Sequence, residues 1–169
     1  MQPNQSQMND HTKAAFLRGS IITSYAQVEF LLADITARWR GVSADWQKEK
    51  FPYSLGSRVR AVRDLANRDE RFAQYSDEID RLSGGLTPYR EIRDMMAHGM
   101  QLLRENDQVG PYLDYRMYRV GSGGVPEVGQ MTTSLDQLED AALEIGRFAV
   151  QIGELCRRIY QDLGLEPVA

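Results

Sequence analysis

The sequence predicts a mostly α protein: an up-and-down bundle of four to five helices with a small β-hairpin or meander before the last helix. Three observations carry that prediction. Apolar residues recur at steps of three and four over residues 10–40 and again over 135–163, as on one face of an α-helix. Between these long segments lie shorter helical patterns punctuated by glycine and proline. One aromatic-rich stretch, Tyr112-Leu113-Asp114-Tyr115-Arg116-Met117-Tyr118-Arg119-Val120, followed by Gly121-Ser122-Gly123-Gly124, breaks the helical periodicity and reads as strand and turn.

The elements follow in order. Residues 1–9 are polar and read as a disordered tail, without the basic and apolar regions of a secretory signal. Residues 10–169 read as a single domain, with about 100–132 as a β insertion. Asp10 suits the N-cap of a first helix reaching about Arg40. Its stripe is Leu17, Ile21, Tyr25, Val28, Leu31, Leu32, Ile35 and Trp39, and Gly41 is a natural stop. A second helix, Ser54 to Ala66, carries Leu55, Val59, Val62 and Leu65, and Asn67 to Glu70 reads as a polar turn. A third helical region starts near Arg71 and carries Phe72, Tyr75, Ile79 and Leu82.

Gly84-Gly85 should interrupt that third region, since two glycines cost a helix about 2 kcal/mol relative to alanine. Thr87-Pro88 then looks like an N-cap with proline at the first helical position. The next segment is a separate helix from Pro88 to Ala97 or His98, or else the end of one long helix kinked at Pro88. Gly99 suits the left-handed residue that ends a helix. Met100 to Arg104, Tyr112 to Val120 and Val125 to Thr132 can form a three-stranded meander, with Pro126 confined to an edge. Ser134 with Gln137 fits a capping box opening the final helix. The stripe of that helix is Leu135, Leu138, Ala142, Ile145, Ala149, Ile152, Cys156 and Ile159, and it ends near Leu163-Gly164.

With 42% hydrophobic and 26% charged residues, the composition is that of an ordinary globular protein. No apolar run approaches the roughly 20 residues of a membrane span. A net charge of −4 argues against a surface built wholly for nucleic acid, while leaving room for a local basic site. Lys13, Lys48 and Lys50 are the only lysines. Arginine is the better fork for phosphate, although a skewed genomic composition produces the same bias. Cys156 stands alone, which rules out an intrachain disulfide and fits a reducing, cytoplasmic setting. One cysteine and two histidines do not make a Cys/His zinc site in one chain, and no cofactor is expected.

The most informative run is Tyr89-Arg90-Glu91-Ile92-Arg93-Asp94-Met95-Met96-Ala97-His98-Gly99. It sets a fixed cation, an acid and a group titrating near neutral pH within six residues at the end of a helix. Asp94 and His98 are four apart and share a face. Arg93 lies five before His98, roughly 140° around the axis, so one straight helix cannot aim both at one atom through its backbone.

Arg93, four intervening residues and His98, with an acid directly after the arginine and an Ala-His-Gly ending, resembles the HEPN superfamily (higher-eukaryote-and-prokaryote nucleotide-binding). The resemblance spans Phe16 to Gly99 plus the final helix. It departs from the usual pattern at Gly84-Gly85 and Pro88, which interrupt what is often one continuous helix. Many proteins with this motif are metal-independent ribonucleases, and others bind nucleotides or have lost activity. The resemblance implies a homodimer in which two motifs meet in a shared cleft, with RNA as substrate and a 2′,3′-cyclic phosphate product. It implies a toxin or defence role, with an antitoxin protein as a possible partner.

The corresponding chemistry assigns His98 to proton transfer and Arg93 to the phosphate. Asp94 would orient one of them, and Tyr89 and Arg90, one turn earlier, are substrate contacts. The competing reading is a catalytically silent homodimer, regulatory or nucleotide-binding, in which Asp94 and His98 form a helix-end pair and Arg93 ties the subunits together.

Other residues read as structural. His11 lies near the tail and is expected in solvent, and Glu29 and Asp34 as a solvated face. Arg58, Arg60 and Arg63 form a small basic patch that reads as a solvated face rather than a nucleic-acid surface. Tyr112, Tyr115 and Tyr118 could stack bases but read as sheet packing, with Tyr115 on the face opposite the other two.

Overall fold

In the computed structural model, residues 9–48, 50–106 and 110–165 are described. The chain is mostly helical, with a three-stranded antiparallel sheet before the last helix. The elements are α1 (Asp10–Val42), α2 (Leu55–Arg68), α3 (Glu70–Ala73), α4 (Ser76–Leu86), α5 (Arg90–His98), β1 (Met100–Asn106), β2 (Gly110–Val120), β3 (Pro126–Ser134) and α6 (Leu135–Leu163). Among the described residues, no helix is long and apolar enough to cross a membrane.

The contacts gather into two compact units. One comprises the described residues up to Thr23 with Tyr89–Gly146; the other comprises Ser24–Pro88 with Arg147 onward. Residues 1–8, the bulk of the expected tail, lie outside the described residues. Asn9, which the sequence reading left in the tail, caps α1: its side-chain oxygen accepts from the Thr12 N–H at 2.9 Å.

In the unit that starts at Ser24, the stripe of α1 is buried as its spacing requires, with Tyr25, Val28, Ile35 and Trp39 at 0–1% exposure. Trp39 meets Phe72 edge-on at 4.7 Å, and the Tyr25 hydroxyl donates to the Leu86 carbonyl at 2.8 Å. Ser54 and Ser57 close a capping box at the start of α2. The expected turn over Asn67 to Glu70 shrinks to one extended residue, Asp69, because its carboxylate caps the short α3 by accepting from the Arg71 N–H. Phe72, Tyr75, Ile79 and Leu82 are all buried, as their spacing predicts, although α3 and α4 divide them.

The glycine pair does not interrupt the helix. α4 runs through Gly84 and Gly85 to Leu86, and the break falls at the single 3-10 turn Thr87–Tyr89. Gly85 is there for space: a Cβ would collide with the Phe148 ring. Thr87 is not an N-cap; its hydroxyl donates back to the Ser83 carbonyl at 3.3 Å, and Tyr89 is the residue that precedes α5. Two expectations of solvated charge are corrected. Asp34 accepts from Arg38 and from the Tyr160 hydroxyl, both at 2.7 Å, and Glu29 pairs with Arg58 at 3.6 Å, all partly buried. Arg63 and Asp80 pair across an exposed surface, as a solvated face requires.

In the other unit the strands lie in the order β1-β2-β3, all antiparallel, as a meander. One face of β2 buries Leu113 and Tyr115, while Tyr118 on the opposite face is 81% exposed. The capping box at α6 forms as its sequence predicts: the Gln137 N–H donates to Ser134 Oγ at 3.1 Å, and the Ser134 N–H donates to Gln137 Oε1 at 3.0 Å. The expected α6 stripe is buried along its whole length, up to Ile145 within this unit and from Ala149 within the unit that starts at Ser24. Its burial contributes about 1.5–3 kcal/mol for each large aliphatic residue. At the far end, Gly164 adopts φ 59° and the Leu165 N–H reaches the Tyr160 carbonyl at 3.0 Å, the bond that closes a helix through a left-handed residue.

Candidate functional site

The motif Arg93 to His98 lies within one uninterrupted α-helix, α5. Met95 and Met96 are fully buried and anchor one side of that helix. One ion pair joins its N-terminal part to the sheet, and a backbone bond closes its C-terminal end. Glu91 accepts from Arg119 of β2 at 2.9 Å, and the guanidinium lies close over Gly129. At the C-terminal end, the Gly99 N–H bonds the Met95 carbonyl at 2.8 Å.

Gly99 is not left-handed, as the sequence reading had it; φ −84° and ψ 146° are extended. The residue must still be small, because a Cβ would sit 2.5 Å from the Met95 carbonyl oxygen. The helix therefore passes directly into β1, and the crowding of that junction selects glycine.

The last carbonyls of a helix lack partners within it and carry partial negative charge. Here they are met by Arg18 of α1, which donates from Nε to the Met96 carbonyl at 2.6 Å and from Nη2 to the Gly99 carbonyl at 3.2 Å. Arg18 is a positioning residue that sequence reasoning missed. It lies 78 positions from Met96, and nothing local to it marks the pairing.

Around that support the motif side chains divide. His98 is exposed at the helix end, and Arg93 and Asp94 are partly buried. Arg93 donates to Asp94 at 3.0 Å. Asp94 therefore engages the guanidinium rather than the imidazole expected to share its face, and the His98 ring makes no hydrogen bond among the described residues. Tyr89 is partly buried in the 3-10 turn before α5, and Arg90 is exposed at its start. In a single chain, Arg93 and His98 keep the separation of roughly 140° that an unbroken helix imposes. The arrangement offers an exposed imidazole at the helix end and, on the same helix, a carboxylate-held guanidinium.

The sheet carries a second charged cluster that the sequence reading passed over. Asp114 is only 2% exposed, yet it lies on the face opposite Tyr115. Its carboxylate accepts two bonds from Arg116, at 2.9 and 3.1 Å, and one from Gln130 at 3.0 Å, with Arg104 at 3.4 Å. Cross-strand register brings these residues together, and the alternation of faces along 112–120 is the one local hint of it. On the other face, Tyr115 donates to Gln101 at 3.0 Å, and burial pushes its hydroxyl up to about 12 despite the nearby Arg18. Among the described residues, no three His, Cys, Asp or Glu side chains gather where a metal ion could be held.

Compared with protein families, with curated proteins and with solved structures, the chain matches none.

Proposed function

We propose that the protein is a HEPN-like, metal-independent endoribonuclease of toxin or defence type, working as a homodimer with an up-and-down bundle topology in the reducing cytoplasm. The observation that carries this reading is the exposed His98 imidazole at the end of α5, with the Arg93–Asp94 pair on the same helix. Since one helix holds Arg93 and His98 apart, convergence on a phosphodiester calls for a second copy of α5. One His98 would take the proton of the ribose 2′-hydroxyl as that oxygen bonds to phosphorus. The partner's His98, protonated, would give a proton to the departing 5′-oxygen. Arg93 would hold the phosphate oxygens as negative charge builds, with its fork oriented by Asp94. Tyr89 and Arg90 lie at the other end of the helix, where they would contact the RNA strand. An antitoxin partner belongs to this reading.

The same ion pair favours a second reading. A guanidinium already engaged by Asp94 suits a catalytically silent dimer in which Arg93 serves the interface. RNA incubated with the purified protein in excess chelator separates the two. The first reading expects cleavage leaving 2′,3′-cyclic phosphate ends, lowered about 10²-fold or more by His98→Ala and comparably by Arg93→Ala. Cleavage untouched by both substitutions overturns the assignment of the site. Absence of cleavage on any RNA by the wild-type dimer favours the silent reading.

A further inference from the structure

Away from the motif, α1, the segment after it and α2 line an open cavity of about 240 Å³ within the unit that starts at Ser24. Its lining is chemically lopsided. Among the described residues, Arg40, Lys50, Arg60 and Arg68 line it with one acid, Asp64, on a chain whose net charge is −4. The remaining walls are aromatic: Trp46, Phe51 and Tyr53. Two of the cations lie over two of the rings, Arg68 over Trp46 at 4.6 Å and Arg40 over Phe51 at 5.9 Å. Arg40 is further held by the Gln47 carbonyl at 2.8 Å.

Arg60 is different. It is exposed on α2 and makes no ion pair or hydrogen bond among the described residues, although its neighbours Arg58 and Arg63 are both paired with acids. Tyr53 is 79% exposed at the rim of the cavity, so its ring face is open to a planar partner. A cation without an acid partner, as Arg60 is among the described residues, gains by taking up an anion, and flat rings gain by stacking on a planar partner.

We infer that this cavity binds a small organic anion bearing one planar ring system, with the ring against Tyr53 and the anionic group at Arg60. The volume falls below the range of about 300–1,000 Å³ typical for drug-sized ligands, which admits one ring system and excludes an extended chain of them. Wall chemistry divides the labour: the aromatics select the ring, and the unpaired cation selects the charge. This site involves none of Tyr89, Arg90, Arg93, Asp94 or His98, so it stands or falls independently of the nuclease reading.

Calorimetric titration of the full chain tests it with three probes: adenosine 5′-monophosphate, adenosine and inorganic phosphate. The monophosphate is expected to bind with a Kd below about 1 mM and at least about tenfold more tightly than either part alone. Arg60→Ala should weaken both the monophosphate and inorganic phosphate, by about tenfold. Tyr53→Ala should weaken the monophosphate while sparing inorganic phosphate. Both residues are exposed, so melting temperatures should stay at the wild-type value and report an intact fold. Binding of the monophosphate should also quench the fluorescence of Trp46 in the cavity wall, and Trp46→Phe should remove that quenching. No binding of the monophosphate, equal affinity for inorganic phosphate, or affinities unchanged in both variants overturns the inference.

Discussion

Arg18 bonds the carbonyl oxygen of Met96 at 2.6 Å, tying the first helix to the end of the motif helix. This contact, with its companion to the Gly99 carbonyl, fixes the turn of backbone from which His98 projects. Removing it leaves partly buried helix-end carbonyls without their cation. Arg18→Ala should therefore destabilise the fold by about 1.5–3 kcal/mol, the usual worth of hydrogen bonds to a charged group. Urea denaturation measures this directly, and Arg18→Lys should recover only part of the loss, since an ammonium cannot fork across two carbonyls. Stability unchanged in Arg18→Ala would show the contact to be idle.

Glycines 84 and 99 should respond oppositely to alanine. A Cβ at Gly99 would lie 2.5 Å from the Met95 carbonyl oxygen, which must shift, and a cost of about 1–3 kcal/mol is expected. At Gly84, inside α4, no described atom beyond its own turn of helix lies within 4 Å of the added methyl, and alanine there should stabilise by about 0.5–1 kcal/mol. Thermal melts of the two variants side by side check both signs. Two shifts of the same sign would contradict the crowding at the helix-to-strand junction.

Asp114 should matter to the sheet more than any exposed acid. Its buried carboxylate organises Arg116, Gln130 and Arg104 across three strands. Asp114→Ala should cost about 3 kcal/mol, near the low end for breaking a buried pair, because both arginines stay 44% exposed and can rehydrate. Amide exchange should accelerate in β1 and β3 together. Acceleration in β2 alone would mean that the cluster does not bind the strands to one another.

Alkaline pH should loosen the fold through its buried tyrosines. Burial raises Tyr115 to about 12, and burial with the 2.5 Å bond to Asp162 raises Tyr75 to about 12. Both folded values exceed the ordinary value near 10. The associated stability is thus fully present below pH 10 and is lost as pH rises through 12. Melting temperature followed across that window should fall, and Tyr115→Phe should flatten the fall. An unchanged slope in Tyr115→Phe would remove this tyrosine from the account.

For the motif itself, Asp94→Asn tests what the ion pair does. If the 3.0 Å contact orients Arg93 for phosphate, the variant should lose RNA cleavage while dimerising normally in sedimentation measurements. Weakened dimerisation with cleavage intact per dimer would transfer the pair from substrate to interface.

Local chemistry determined much of this protein. The spacing of Ile21, Tyr25, Val28 and Ile35 made α1, Ser134 with Gln137 opened α6, and the alternation around Tyr115 set which sheet face is buried. All depend on neighbours within a few residues, whose geometry a sequence carries directly. The Arg93-to-His98 pattern was legible for the same reason, as a position on one helix. Tertiary structure decided what distant chain segments share. Gly84-Gly85 looked like a breaker until Phe148 explained the second glycine, and Asp34 looked solvated until Tyr160 reached it. Arg18, Asp114 and the cavity beside Arg60 owe their roles to partners brought close by packing and register. A residue's own neighbours in sequence hold no trace of those encounters, because each is set by the folded positions of two elements at once.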